Sequence, residues 1–167
     1  IIWDKAEGFY VYDKWGNKWL DWSSCVLVAN AGHAPKEILK ALRDKINQKL
    51  LSTYVFPHED RAELCKILSE MAPKGLDKVF LLSTGSESTE NAIKLARTYG
   101  IKQGGKKKHV IVSFEGAFHG RTFGSQMAGG MDAQKDWIVK KPGGFVQIPF
   151  PDGFRNEDTS FSLFEKT

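Results

Sequence analysis

Cysteine occurs at only two of the 167 positions, Cys25 and Cys65, far apart and with no second Cys or His at metal-ligand spacing. A disulfide-rich scaffold and a cysteine zinc site are excluded on that count. Free thiols point to a reducing compartment, most simply the cytosol. Cys65 falls in an apolar helical pattern, which predicts a buried thiol. Long apolar runs are equally scarce. None approaches the ~20 residues that span a bilayer, and the start shows no signal-peptide pattern. Neither sign of charge dominates: 24 Lys and Arg against 20 Asp and Glu leave a formal net charge of +4. The densest basic run, Lys106–Lys108, has no aromatic residues interleaved with it. A solvated loop is favoured there over a nucleic-acid patch.

Several nucleotide and hydrolase signatures are missing too. No G-x-G-x-x-G fingerprint and no G-x-S-x-G elbow occurs. GIKQGGK (Gly100–Lys106) has P-loop spacing, but it follows a helical pattern rather than a strand. Lys107 also stands where Ser or Thr would bind magnesium. A nucleotide-binding α/β domain is disfavoured accordingly.

What is present is a rhythm of helices and strands. Residues 9–22 read as two aromatic-rich strands joined at Trp15–Gly16–Asn17. Pro35 opens a helix to about Leu50, with Ile38, Leu39, Leu42 and Ile46 on one face. A second helix spans roughly Glu59–Met71 and ends at Pro73 and Gly75. Strands are expected at Val79–Leu82, His109–Phe114 and Phe145–Phe150, with a helix between the first two and another starting near Phe161, Leu163 and Phe164. Alternation of this kind implies an α/β layer with parallel strands, whose ligands gather at the carboxyl ends.

Two loops leave such ends. In the first, Thr84 with Glu87 three residues on fits a capping box. Gly85 and Ser86 then sit where free amides and the positive dipole end favour a phosphate. The same pattern also serves as an ordinary strand-to-helix turn, and both readings stand. The second loop, FEGAFHGRT (Phe114–Thr122), places Phe118 and His119 between glycines. Phe118 either caps the core or lays a flat ring on a planar ligand. Arg121 either makes a structural ion pair or grips a carboxylate bidentately. His33 reads as a turn residue capping backbone, and His58 and His109 as solvated. Tyr54 and Phe56 belong to the core or to a cleft shared with another subunit.

Taken together, GNKWLDWSSCVLVANAGHAPKEI (16–38), LSTGSESTENAIKLAR (82–97), FEGAFHGRT (114–122) and IPFPDGFR (148–155) resemble the class III, 4-aminobutyrate-type aminotransferases that use pyridoxal 5'-phosphate. The resemblance implies an α/β protein of fold type I: an amino-terminal strand/helix segment of the small domain with a linker helix over residues 1–58, and the first part of an incomplete cofactor-binding large domain over 59–167. Thr84, Gly85 and Ser86 would cradle the cofactor phosphate, and Phe118 would stack on its ring with His119 beside it. Arg121 would hold a substrate carboxylate, and Val26 would line the substrate pocket. Such enzymes form homodimers, with the 54–57 segment reaching the partner's site. The sequence departs from the family at Ser24–Cys25, where glycines are usual, in a shortened GHAP stretch, and at Ser88 for alanine.

The resemblance also implies a lysine that bonds the cofactor aldehyde and an acid that keeps the ring nitrogen protonated, both in a later part of the sequence. No lysine here fits that role. The expectation is therefore the amino-terminal part of an aminotransferase that moves an amino group from an ω-amino acid or amine to a 2-oxo acid, inactive by itself. Ile1 in place of Met predicts residues upstream. A decarboxylase or aminomutase on the same scaffold shares these motifs, and a non-catalytic phosphate-ligand binder is the alternative of another class.

Overall fold

The computed structural model describes residues 1–50 and 52–154. Arg155 and the expected helix at Phe161, Leu163 and Phe164 lie outside the described residues. The chain divides into two units, Ile1–Met71 and Ala72–Thr167.

The first unit opens with an antiparallel sheet in the order β1 (Trp3–Glu7), β2 (Tyr10–Asp13) and β3 (Lys18–Leu20). Two strands were expected and three are present. Trp3–Glu7 has no apolar alternation to announce it, and pairing with β2 (Ala6 opposite Val11, Glu7 opposite Tyr10) makes it a strand. The turn at Gly16 is where the sequence puts it. Asp13 accepts from the amides of Trp15 and Asn17 and from the Asn17 amide group at 2.9–3.0 Å, so a short carboxylate organises the reversal.

After β3 comes a single helical turn, α1 (Ser24–Leu27), that winds left-handed. Ser24, Cys25, Val26 and Leu27 have φ of 49, 53, 59 and 66° in succession. Side chains with a Cβ resist that region by roughly 1–2 kcal/mol per residue. Asp21 opposes the penalty. It accepts from the Ser23 amide (3.0 Å) and hydroxyl (2.7 Å), the Cys25 amide (2.8 Å) and His33 Nε2 (2.8 Å). The Ser23 hydroxyl foremost, then His33, holds its carboxyl down at about 2. His33 thus bonds a carboxylate rather than the backbone expected for its ring, and it packs edge-on against Trp3.

Helices α2 (Lys36–Asn47) and α3 (Glu59–Met71) follow the expected spans closely. Pro35 precedes the first, as its fixed φ favours. Their apolar stripes stay open: Ile38, Leu42, Ile46, Leu64 and Ile67 are all exposed. Cys65 is half-exposed rather than buried, and no residue of α3 is buried. His58 is half-buried and accepts the Asp60 amide at 3.2 Å, so it is not simply solvated.

The second unit carries α4 (Gly85–Gly104), β4 (Ile111–Phe114), the short helix α5 (Phe123–Ala128), a 3-10 turn at Asp132–Lys135, and β5 (Phe145–Ile148). β4 and β5 are parallel, with Ile111 opposite Phe145 and Phe114 opposite Ile148, as α/β alternation requires. Residues 79–82 were expected as a strand. They pair with no strand among the described residues, and Phe80, Leu81 and Leu82 are exposed. A ladder needs a neighbour, which an apolar run by itself cannot supply. The core is small and lies around α5, where Ser125, Met127, Ala128 and Ile138 are buried.

Candidate functional site

The site begins at the start of α4. Thr84 has extended φ and ψ (−143°, 162°), and its hydroxyl accepts the Glu87 amide at 3.1 Å. The Glu87 carboxylate reaches back to the Ser83 amide at 3.0 Å. This is the capping box read from the sequence, with its return bond one residue earlier than the usual form. The amides of Gly85 and Ser86 lie in the first turn, where no carbonyl of the helix precedes them to accept. A Cβ at Gly85 would meet no protein atom within 4 Å, so the backbone faces open space.

The loop after β4 is fixed at both of its ends. Near β4, the Gly116 amide donates to Gly130 O (3.1 Å) and the Gly130 amide to Ala117 O (2.8 Å). A side chain at Gly130 would collide with the backbone of Phe114, Glu115 and Gly116, which is why glycine stands there. Near α5, the Arg121 amide donates to Ser86 Oγ at 3.1 Å. Gly120 takes φ 123°, and a Cβ on it would fall on Ser86 and within 2.8 Å of Ser125 Oγ. Phe118 and His119 sit between these fixed points, at the crest of the loop.

The two loops therefore meet. Thr84, Gly85, Ser86, Thr89, Phe118, His119 and Gly120 line one cleft of about 420 Å³. That volume falls within the ~300–1,000 Å³ of ordinary ligand sites. Phe118 is 61% exposed, so its ring caps no core among the described residues. The Ser86 hydroxyl accepts the Arg121 amide and so can still donate its own proton. Two free amides, that hydroxyl and the dipole end of a 20-residue helix form a donor set suited to a phosphate ester. The open aromatic face suits a planar ring.

Electrostatic order comes from Glu90, a residue the sequence reading did not single out. Its Oε1 accepts from the Thr122 hydroxyl (2.7 Å) and from the Gly124 (2.6 Å) and Ser125 (3.0 Å) amides. Burial works against the charge. The bonds from Thr122, Ser125 and Gly124 outweigh it and hold the carboxyl below its ordinary value. No spacing rule links residues this far apart, so only the fold reveals the contact.

Of the sequence-predicted residues, Thr84, Gly85, Ser86, Phe118 and His119 come together in the cleft. Arg121 adjoins it, exposed, with its guanidinium 5.8 Å from the Phe118 ring centroid. Val26 belongs to the first unit and is 80% exposed in α1. His109 Nδ1 donates to Lys106 O at 3.0 Å and the ring lies close to Gly144, so it is a packed rather than a solvated ring. Lys135 is a second residue that sequence reading missed. It is 2% exposed, with Nζ 3.3 Å from both Asp132 and Gln147, and it does not line the cleft.

Comparison with known proteins fits this geometry. The family model described as "Aminotransferase class-III" matches residues 1–165. The chain is 34% identical over 149 residues to the acetylornithine aminotransferase of Agrobacterium fabrum, covering 89% of this chain and 37% of that protein. Among solved structures, it is similar to an (S)-enantioselective omega-transaminase from Thermomicrobium roseum, with TM-score 0.87, 29% identity, and 95% and 36% of the two chains covered. It is also similar to the taurine:2-oxoglutarate aminotransferase from Bifidobacterium kashiwanohense, solved with PLP and glutamate, with TM-score 0.80, 28% identity, and 92% and 33% covered. The chain thus spans under two fifths of the length of each of these relatives. The chain belongs to the class III aminotransferase family.

Proposed function

We propose that this chain supplies the phosphate and ring contacts of a pyridoxal phosphate site, in an aminotransferase that moves an amino group from an ω-amino acid or amine to a 2-oxo acid. One observation carries the reading: unpaired helix-start amides and an exposed aromatic face line a single cleft. Relatives named for acetylornithine and for taurine with 2-oxoglutarate support donors with a terminal amine and an oxo-acid acceptor. 4-Aminobutyrate is one such donor.

Each residue has a task within this reading. Gly85 and Ser86 donate amides to the phosphate, the Ser86 hydroxyl adds a third donor, and Thr84 keeps the first turn wound. Phe118 covers one face of the ring and excludes water from it, with His119 beside it. Arg121, exposed beside Phe118, binds a substrate carboxylate in two parallel hydrogen bonds. Val26, 80% exposed in the first unit, is proposed as an apolar contact for substrate. When bound, the cofactor supplies an electron sink for the carbanion left by loss of a Cα proton.

The proton carrier is not among these residues. No lysine lines the cleft among the described residues, and the amine of Lys135 is committed to Asp132 and Gln147. We place that lysine and the acid facing the ring nitrogen in a further part of the enzyme, which would also cover the open stripes of α2 and α3 and pair with residues 79–82. A homodimer, with Tyr54–Pro57 reaching the partner's site, completes the reading. The same absence favours a second reading, in which the chain binds the phosphate ester without reaction.

Borohydride reduction of the chain with pyridoxal phosphate, followed by peptide mass analysis, tests the assignment. Reversible binding with no cofactor fixed on lysine is expected of these residues by themselves. A stoichiometric lysine adduct, or no binding at all, would overturn it.

A further inference from the structure

We propose that Glu90 is a positioning residue, whose carboxylate sets the height of the Phe118–Arg121 loop over the phosphate-binding amides of Gly85 and Ser86. The inference rests on the cleft being the cofactor site, and it adds the element that sets the distance between the site's two halves.

The need for such an element is visible in α5. Thr122 stands at its N-cap position, yet its side chain makes no capping bond to the helix. Its hydroxyl instead donates to Glu90 and contacts Ser125 Oγ at 2.9 Å. The free amides at the start of α5, Gly124 and Ser125, are taken by the same Glu90 oxygen. A cap that a helix ordinarily finds in its own N-cap side chain is thus supplied from another helix, 32–35 residues away in sequence.

Where Glu90 sits gives the contact its consequence. It lies on α4, little more than one turn beyond Gly85 and Ser86. The helix that offers amides to the phosphate also holds, through one carboxylate, the end of the loop that presents the ring. The backbone is shaped to let the carboxylate in: a Cβ on Gly124 would overlap Glu90 Oε2 and approach its Cδ at 3.0 Å. Of the loop's other anchors, Arg121 N on Ser86 Oγ also ties the loop to α4, at its first turn, and Gly116 on Gly130 ties it near β4. The carboxylate adds the bonds from α4 to the amides of α5 itself.

The test separates phosphate from ring. Dissociation constants for pyridoxal phosphate and for inorganic phosphate are measured on the native chain and on Glu90→Ala, Glu90→Gln and Gly124→Ala. In Glu90→Ala, pyridoxal phosphate is expected to bind about ten-fold more weakly, the scale of one lost aromatic stacking contact. Inorganic phosphate should stay within about two-fold, since its amides are untouched. Gly124→Ala, which keeps Glu90 but displaces its carboxylate, should weaken pyridoxal phosphate in the same way. Glu90→Gln retains an acceptor oxygen and should recover most of the affinity.

Equal affinity for pyridoxal phosphate in the native chain, Glu90→Ala and Gly124→Ala would overturn the proposal. So would a parallel loss of both ligands, because that would mean general damage. Failure of the native chain to bind pyridoxal phosphate removes the cofactor reading itself, and this inference with it.

Discussion

Asp21 in the first unit and Glu90 in the second use the same device against opposite backbones. Each carboxylate gathers amides and a hydroxyl: Ser23, Cys25 and the His33 ring around Asp21, and Thr122, Gly124 and Ser125 around Glu90. Glu90 caps a right-handed helix, a conformation its residues would adopt without strain. Asp21 holds four successive residues at positive φ, which they would leave if released. A carboxylate that agrees with the local preference mainly sets position. One that opposes it mainly supplies stability.

That contrast orders the expected effects. Asp21→Ala should be the most damaging change, because it frees a strained turn and orphans the donors around it at once. Amide exchange at Leu27 and Val28, bonded to Ser23 O and Ser24 O, should accelerate at least about ten-fold, with little change in α4. A comparable rise in both units would break the distinction. The sign with pH follows from an Asp21 carboxyl held at about 2, against 3.8 ordinarily. A lowered folded-state pKa gives stability that is full above about pH 4 and lost as the pH falls through 2. Acid unfolding of the first unit should begin in that window, and Asp21→Asn should reduce the slope, the remainder coming from Asp13 and Asp60, whose carboxyls the Asn17 and Lys45 hydrogen bonds also hold below their ordinary value.

Gly120→Ala comes next. Its φ of 123° and the crowding by Ser86 and Ser125 predict a loss of about 2 kcal/mol in chemical denaturation, concentrated in the second unit. The smallest effect should be a gain. Ser24→Gly and Cys25→Gly remove Cβ atoms from left-handed positions, and each should stabilise by about 1 kcal/mol. Loss of stability there would mean that the turn is not held against its preference.

The Ser24–Cys25 stretch also marks the limit of what sequence reading can do. Its departure from the usual glycines was visible, but a left-handed turn built from Ser, Cys, Val and Leu has no sequence signal. The capping box at Thr84 and Glu87 and the spans of α2 and α3 were legible, because caps and periodicity are local; the two loops do converge, although the first follows no paired strand. β1, the unpaired state of residues 79–82, the Asp21–His33 bond and the Glu90 clamp were not. Each depends on which distant segment arrives alongside. Burial of Lys135 belongs with them: an amphiphilic side chain in a loop reads as solvated until Gln147 is brought against it.

Amide and aromatic NMR shifts during titration with pyridoxal phosphate probe both walls of the cleft in one experiment. The Gly85 and Ser86 amides and the Phe118 ring should move together, with a single midpoint, while the Lys102 amide at the far end of α4 stays in place. Movement of the amides with an unperturbed Phe118 ring, or of neither, would contradict a pocket shared by the two loops.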